Sequence, residues 1–367
     1  MSTVIALLGW REMPTDGVDD YCTFLGEALA RHGATLEKYR VEWATSGWTR
    51  ALLRLWRESA EWRGRWVILQ FTCLAWSRRA LPFGALAAMA IARMRGARTA
   101  VFFHEPYGYD GTRWTDRLRT ACQQWVIRQL YRRAERAIFA DPLHRIPWFP
   151  KNETKAVFIP IGASVPEPPD ASSVAAARRA NGDRTVAVYC VGDPPYLQEE
   201  LEDISGALRA VCGNGFKIRV VFFGRGTAEA KEEIREAFEA LPVQLQNFGL
   251  QPAEAVSRHL AESDVMVCVR GKLFPRRSSA IAGITCGVPM VAYAGACEGT
   301  HLAEAGVELV PYRDAHSLGL AMKRLLEDDQ HWNEFHVRSV LVHQKYLSWD
   351  AIAEKFIAAL GLAGKQA

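Results

Sequence analysis

Four cations, Arg270, Lys272, Arg276 and Arg277, stand within eight residues, and Ser278 and Ser279 follow them directly. The apolar run 265–269 before them reads as a buried parallel strand. The run after the serines reads as a helix, ended by Gly287-Val288-Pro289 ahead of a further strand at 290–293. A helix N-terminus offers unpaired N–H groups and the positive end of a dipole. A diphosphate held there meets backbone donors as well as Lys272, Arg276 and Arg277. Either serine can cap such a helix. The plainer alternative is a solvated basic loop; the position after a strand, at the carboxyl edge of a parallel sheet, favours the anion site.

Other loops carry groups of the same kind. His104-Glu105-Pro-Tyr107-Gly-Tyr109 follows the apolar run 99–103, which sets an imidazole, a carboxylate and two phenols at a strand's carboxyl end. There His104 can donate to a substrate oxygen, and Glu105 can orient it or take a proton. A satisfied structural histidine is the competing reading. The loop 9–18 ends in Asp16-Gly17, where a glycine with φ > 0 lets backbone N–H groups approach a phosphate or hydroxyl and Asp16 alternatively caps the helix. Gly192 and the turn at Gly224-Arg225-Gly226 each follow a strand-like run, a commonplace arrangement that gains weight only if one ligand needs both.

The elements that must position these groups alternate along the chain. Strand-like runs at 3–8, 66–71, 99–103 and 136–140 are separated by helical patterns at 18–32, 48–62, 84–94 and 114–133. The alternation restarts after a polar stretch at 163–183, with runs at 185–191, 217–223, 243–248, 264–269 and 289–293. That is the βαβ pattern of parallel sheets, and 367 residues suit two doubly wound α/β domains. A last helix at 349–360 has an apolar i, i+3, i+4 stripe behind a serine cap.

Composition narrows the class. The first residues lack a basic start, a long apolar core and a cleavage site, so a cytoplasmic protein is expected. Eight scattered cysteines without a CxxC pair read as reduced core residues, with no metal site and no disulfide framework. Residues 1–150 hold 22 Lys/Arg against 14 Asp/Glu, whereas the remainder holds 23 against 27. A basic first half points to an anionic surface or substrate. Residues 114–138 combine tryptophan, an apolar face at 114, 118, 122, 126, 130, 134 and 138, and Arg117, Arg128, Arg132, Arg133 and Arg136 largely off that face, a pattern that can rest on an anionic bilayer at its inner face; the aromatic segment 43–76 can add to that contact. A core helix with a solvated arginine face is the alternative. No recognition motif supports nucleic acid as a partner.

Taken in order, these segments resemble the retaining glycosyltransferases of the GT-B fold, of the group-one (family-four) type. The resemblance rests on the first loop, His104-Glu105, Ile159-Pro-Ile-Gly162, Val191-Gly192, Gly224-Arg225-Gly226, the segment 282–291, Glu298-Gly299-Thr300 and the helix after Ser348. It implies two Rossmann-like domains facing a cleft, residues 1–163 for the acceptor and 164–345 for the donor, with a C-terminal helix at 346–363 packing back on the first. It further implies transfer of a hexosyl unit from a nucleoside diphosphate sugar to a glycan or lipid-linked acceptor, with retention, in cell-envelope or exopolysaccharide assembly. No cofactor or metal is implied beyond the nucleotide sugar as co-substrate. His104 and Glu105 then take the catalytic positions, and Asp16, Tyr107 and Tyr109 face the acceptor. Gly17, Gly192, Arg225, Lys272, Arg276, Arg277, Ser278, Glu298, Gly299 and Thr300 face the donor. One departure stands out: Phe274 and Ala282 occupy the places of the family's paired glutamates, as in a branch where an Arg-Arg-Ser pattern replaces them. A non-catalytic partner subunit or sugar-nucleotide sensor is therefore a second reading, and a nucleotide-sugar epimerase a third.

Overall fold

A computed structural model of the chain describes residues 2–10, 16–109, 113–150, 153–168, 182–193, 196–212, 217–297 and 300–362. The chain divides into two compact units, Met1–Ile161 with Trp349–Ala367, and Gly162–Ser348.

The first unit holds β1 (Ser2–Leu8), β2 (Ala34–Arg40), β3 (Trp66–Phe71), β4 (Arg98–Phe103), β5 (Arg136–Phe139) and β6 (Ala156–Phe158). They lie in the order β2-β1-β3-β4-β5-β6, and each ladder is parallel. β3 is buried along its whole length, as befits a central strand covered by helices on both faces. β2 was not expected from the sequence: it pairs with β1 at the sheet edge and only Ala34 is fully buried, so no apolar run marks it. The strand order reverses between β1 and β3, which opens a crevice at their carboxyl ends. Gly9 lies in that crevice. A Cβ on it would sit 2.2 Å from the Ala75 carbonyl oxygen, which accepts from Trp10 N at 2.7 Å. Gly9→Ala is expected to cost about 1–3 kcal/mol by forcing these loops apart. A denaturation midpoint equal to that of the parent would show that the 72–77 loop yields freely.

The C-terminal helix Trp349–Leu360 completes this unit. Trp349 packs on Tyr21 and Phe24 at ring separations of 5.1 and 5.5 Å, and Phe356 packs on Phe102 at 5.8 Å. Trp66 Nε1 donates to the Leu360 carbonyl at 2.8 Å. Ile352, Phe356 and Leu360 are buried, each contributing roughly 1.5–3 kcal/mol by that burial. Most tryptophans of 43–76 pack inward, with Trp56 exposed at 38%: Trp43 stacks on Trp48 at 5.1 Å and Trp48 on Trp76 at 6.5 Å. Trp43, Trp62, Trp66 and Trp76 are all buried.

The second unit holds β7 (Arg184–Tyr189), β8 (Ile218–Phe223), β9 (Val243–Asn247), β10 (Val265–Cys268), β11 (Met290–Tyr293) and β12 (Val307–Val310). The order is β12-β11-β10-β7-β8-β9, again with parallel ladders. Its reversal falls between β7 and β10. β12, another edge strand, was also missed, since its inner residues Glu308 and Leu309 are only partly buried or exposed. Among the described residues no helix is long and apolar enough to cross a membrane.

Candidate functional site

At the strand-order reversal of the second unit lies a cavity of about 570 Å³, within the range of small-molecule sites. One wall follows β7. Cys190 takes φ +65, a conformation that costs a non-glycine residue of order 1–3 kcal/mol, and the chain then turns through Gly192. Gly192 N donates to Glu200 Oε2 at 2.8 Å. Glu200 belongs to the helix Tyr196–Arg209, which packs by Leu197, Leu201, Ile204 and Leu208, an i, i+4, i+7, i+11 stripe that fixes where its carboxylates go. Burial pushes the Glu200 carboxyl up to about 7, against the opposing pull of Gly192 N–H, Arg270 and Arg277. One turn on, buried Asp203 accepts from the Tyr293 hydroxyl and from Arg313 Nε at 3.1 Å. Arg313, with φ +62, also pairs with Glu199.

The opposite wall follows β10 through Val269, Arg270 and Gly271, the last at φ +70. The chain then folds Arg277 N back to the Phe274 carbonyl at 3.0 Å. Arg277 lies over the Phe274 ring at 4.5 Å, and its Nη2 donates to the Lys272 carbonyl at 3.2 Å. Burial, with Arg270 close by, lowers its pKa. Its Nε is buried without a hydrogen-bond partner, an orphan donor of the kind that a bound anion satisfies. Arg277 is the N-cap residue of the helix Ser278–Thr285, which has no side-chain cap. The expected serine cap is therefore not formed: Ser278 and Ser279 are already inside the helix, where a hydroxyl no longer lies over the first-turn N–H groups.

Of the donor-side candidates, Gly192 and Arg277 line this cavity. Lys272 is exposed, with Nζ 5.4 Å from the centre of the Tyr312 ring, itself part of the lining. Arg276 lies 5.5 Å from the Phe274 ring centre. Arg225 is exposed on the turn after β8, where its carbonyl accepts from Val191 N at 3.1 Å. Ser278 is exposed. Thr300 is buried and donates to the Cys297 carbonyl at 2.6 Å, while Glu298 and Gly299 lie outside the described residues. Glu200, Asp203 and Arg313 were not singled out from the sequence; each is recognisable only through partners distant along the chain.

In the first unit His104 follows β4, its N donating to the Phe71 carbonyl at 3.1 Å. Its ring meets Phe102 at 4.3 Å and Tyr21 at 5.4 Å, edge to face. Its Nε2 lies 2.8 Å from Oε1 of buried Gln70. An amide oxygen only accepts, so this contact selects the Nε2–H tautomer. Gln70, unremarked in the sequence, orients the imidazole, whereas Glu105 accepts from the Tyr109 hydroxyl at 3.2 Å. Tyr107 donates to the Arg145 carbonyl at 3.3 Å. Asp16 acts as a helix cap: Oδ1 accepts from Val18 N and Asp19 N at 3.2 Å, and Oδ2 pairs with Arg40 Nη1 at 3.2 Å. Gly17 opens the helix Gly17–Arg31 and does not take the positive φ expected of it; a Cβ there would touch nothing within 4 Å.

No protein-family model and no curated protein sequence matches the chain. Solved structures do match over nearly its whole length. A sucrose-phosphate synthase from Thermosynechococcus elongatus is 17% identical, with a TM-score of 0.68 over 98% of each chain. HepE from Anabaena, crystallised with UDP and glucose, is 14% identical, with a TM-score of 0.65 over 98% of this chain and 99% of its own. A glycosyltransferase from Rickettsia africae is 12% identical, with a TM-score of 0.66 over 99% of each. The likeness is one of fold: two parallel six-stranded sheets with flanking helices, the GT-B architecture.

Proposed function

We propose that the chain is a retaining hexosyltransferase that takes its donor as a nucleoside diphosphate sugar. The observation that carries this reading is Arg277: a half-buried guanidinium with an orphan Nε, set with Arg270 at a helix start beside the strand-order reversal. HepE, of the same fold, was also crystallised with UDP-glucose, which supports the same class of donor here. The diphosphate lies against Arg270, Arg277 and the first turn of Ser278–Thr285. Charge growing on it as the glycosidic bond breaks is met by fixed donors and the helix dipole, so the reading needs no metal. His104 serves the sugar, and the acceptor is a glycan or lipid-linked molecule of envelope or exopolysaccharide assembly, handled at the cytoplasmic side of a membrane.

Thermal unfolding with UDP, GDP, ADP, TDP and CMP tests the donor site. Ligand at 100 times its dissociation constant adds about 2.7 kcal/mol, so one diphosphate raises the midpoint. Silence from all of them removes the donor reading.

One observation favours a second reading, a non-catalytic partner subunit or sugar-nucleotide sensor. Ala282 is buried and Phe274 serves as a platform for two arginines, so neither place expected to hold a glutamate offers a polar group. Nucleotide released only when acceptor is present separates transfer from sensing.

A further inference from the structure

The helix Trp114–Arg133 buries only the C-terminal part of the apolar face expected from its sequence. The helix ends before Ile138, which lies in β5. Val126, Ile127 and Leu130 are buried, whereas Trp114, Leu118 and Trp125 are 76%, 60% and 50% exposed. Positions 114, 118, 122 and 125 follow the i, i+4, i+8, i+11 spacing of one stripe, so the helix turns a second apolar face to solvent.

That face borders a groove of about 760 Å³, whose lining includes Leu74, Leu81, Phe83 and Leu118 with Arg78, Arg79 and Arg119, and among the described residues no carboxylate. Phe83 lies 6.2 Å from Trp125, ring to ring, which joins groove and stripe. Its floor is braced by Gln123, fully buried, whose Nε2 donates to the Ala80 carbonyl at 2.8 Å and whose Oε1 accepts from Tyr109 N at 2.7 Å. Ala80 is held at φ +53, strain that the brace sustains while the neighbouring Leu81 and Phe83 stay exposed. Charge is one-sided as well. The helix carries five arginines and one aspartate, Asp116, which Arg119 already meets at 3.3 Å.

We infer that this face seats the first unit on an anionic phospholipid bilayer, with Trp114 and Trp125 at headgroup depth, Leu74, Leu81, Phe83 and Leu118 against the acyl chains, and Arg78, Arg79 and Arg119 on lipid phosphates. Large exposed aromatics beside an arginine-rich rim fit that boundary, where one layer is apolar and the next anionic. The inference fixes which surface makes the membrane contact and does not depend on the transfer reading.

The test is co-sedimentation of the full chain with vesicles of phosphatidylcholine alone and with 30% (about one lipid in three) phosphatidylglycerol, at low and high salt. Binding is expected to the anionic vesicles only and to weaken with salt. Arg78→Gln with Arg79→Gln should reduce partitioning about thirtyfold, since each basic side chain near the surface contributes about fivefold. Trp114→Ser with Leu118→Ser should reduce it comparably, and both doublets should keep the parent unfolding midpoint because the residues are exposed. Equal binding to both vesicle types, anionic binding untouched by either doublet, or self-association of vesicle-free protein that Leu118→Ser abolishes would each overturn the proposal. Nucleotide-dependent thermal shifts should be unchanged in both doublets, so failure here leaves the donor reading standing.

Discussion

Arg277→Ala is expected to lower turnover by about 10²–10³-fold, the usual effect of deleting one donor aimed at a developing oxyanion, and to abolish the midpoint shift given by the cognate diphosphate. Without ligand the variant should be no less stable than the parent. The parent keeps a desolvated guanidinium whose Nε has no partner, and removing it relieves a desolvation cost while losing the packing on Phe274. Stability kept and binding lost is the mark of a group held for its ligand. If the variant instead unfolds early and still shows the full diphosphate shift, Arg277 is a scaffold residue and the site lies elsewhere.

Glu200→Gln should flatten the fall of stability with pH. Burial pushes the folded carboxyl up to about 7 from its ordinary value of 4.5, so the native state holds this proton more tightly than the unfolded chain. The stability it contributes is complete below about 4.5 and is lost as pH rises through 7. Between pH 5 and pH 8 that loss amounts to about 2–3 kcal/mol. Glutamine retains an acceptor for Gly192 N–H and does not titrate, so urea unfolding at the two pH values should show the parent losing that much relative to the variant. Parallel profiles would falsify the assignment. A diphosphate beside an ionised Glu200 is also repelled, so the parent should bind nucleotide more weakly at pH 8 than at pH 6, and the variant nearly equally at both.

What the sequence disclosed follows from how each element is buried. β1, β3, β4 and β10 are covered on both faces and announce themselves as apolar runs. β2 and β12 sit at sheet edges, where a run such as Ala-Thr-Leu-Glu-Lys-Tyr-Arg carries no alternation strong enough to separate strand from loop. Arg277 was legible because charge density next to a helix start is local. Glu200, Gln70 and Gln123 were not, because each acts through a contact with a residue remote in sequence or a turn fixed by tertiary packing. At Asp16-Gly17 the sequence carried two patterns at once, a ligand loop and a helix cap, and the structure shows the cap formed.

The helix Trp349–Leu360 places the last act of the first unit's folding after the whole second unit has been made. Tyr21, Trp66 and Phe102 leave the ribosome early, yet the side chains that cover them, Trp349 and Phe356, and the Leu360 carbonyl that receives the indole N–H, come roughly 190 residues after the sixth strand. At about 5–20 residues per second, that apolar flank waits some 10–40 s for its lid. The second unit, continuous in the chain, can finish first although it is made later. A nascent chain stalled short of residue 349 is thus a client for chaperones, with one unit sealed and the other open.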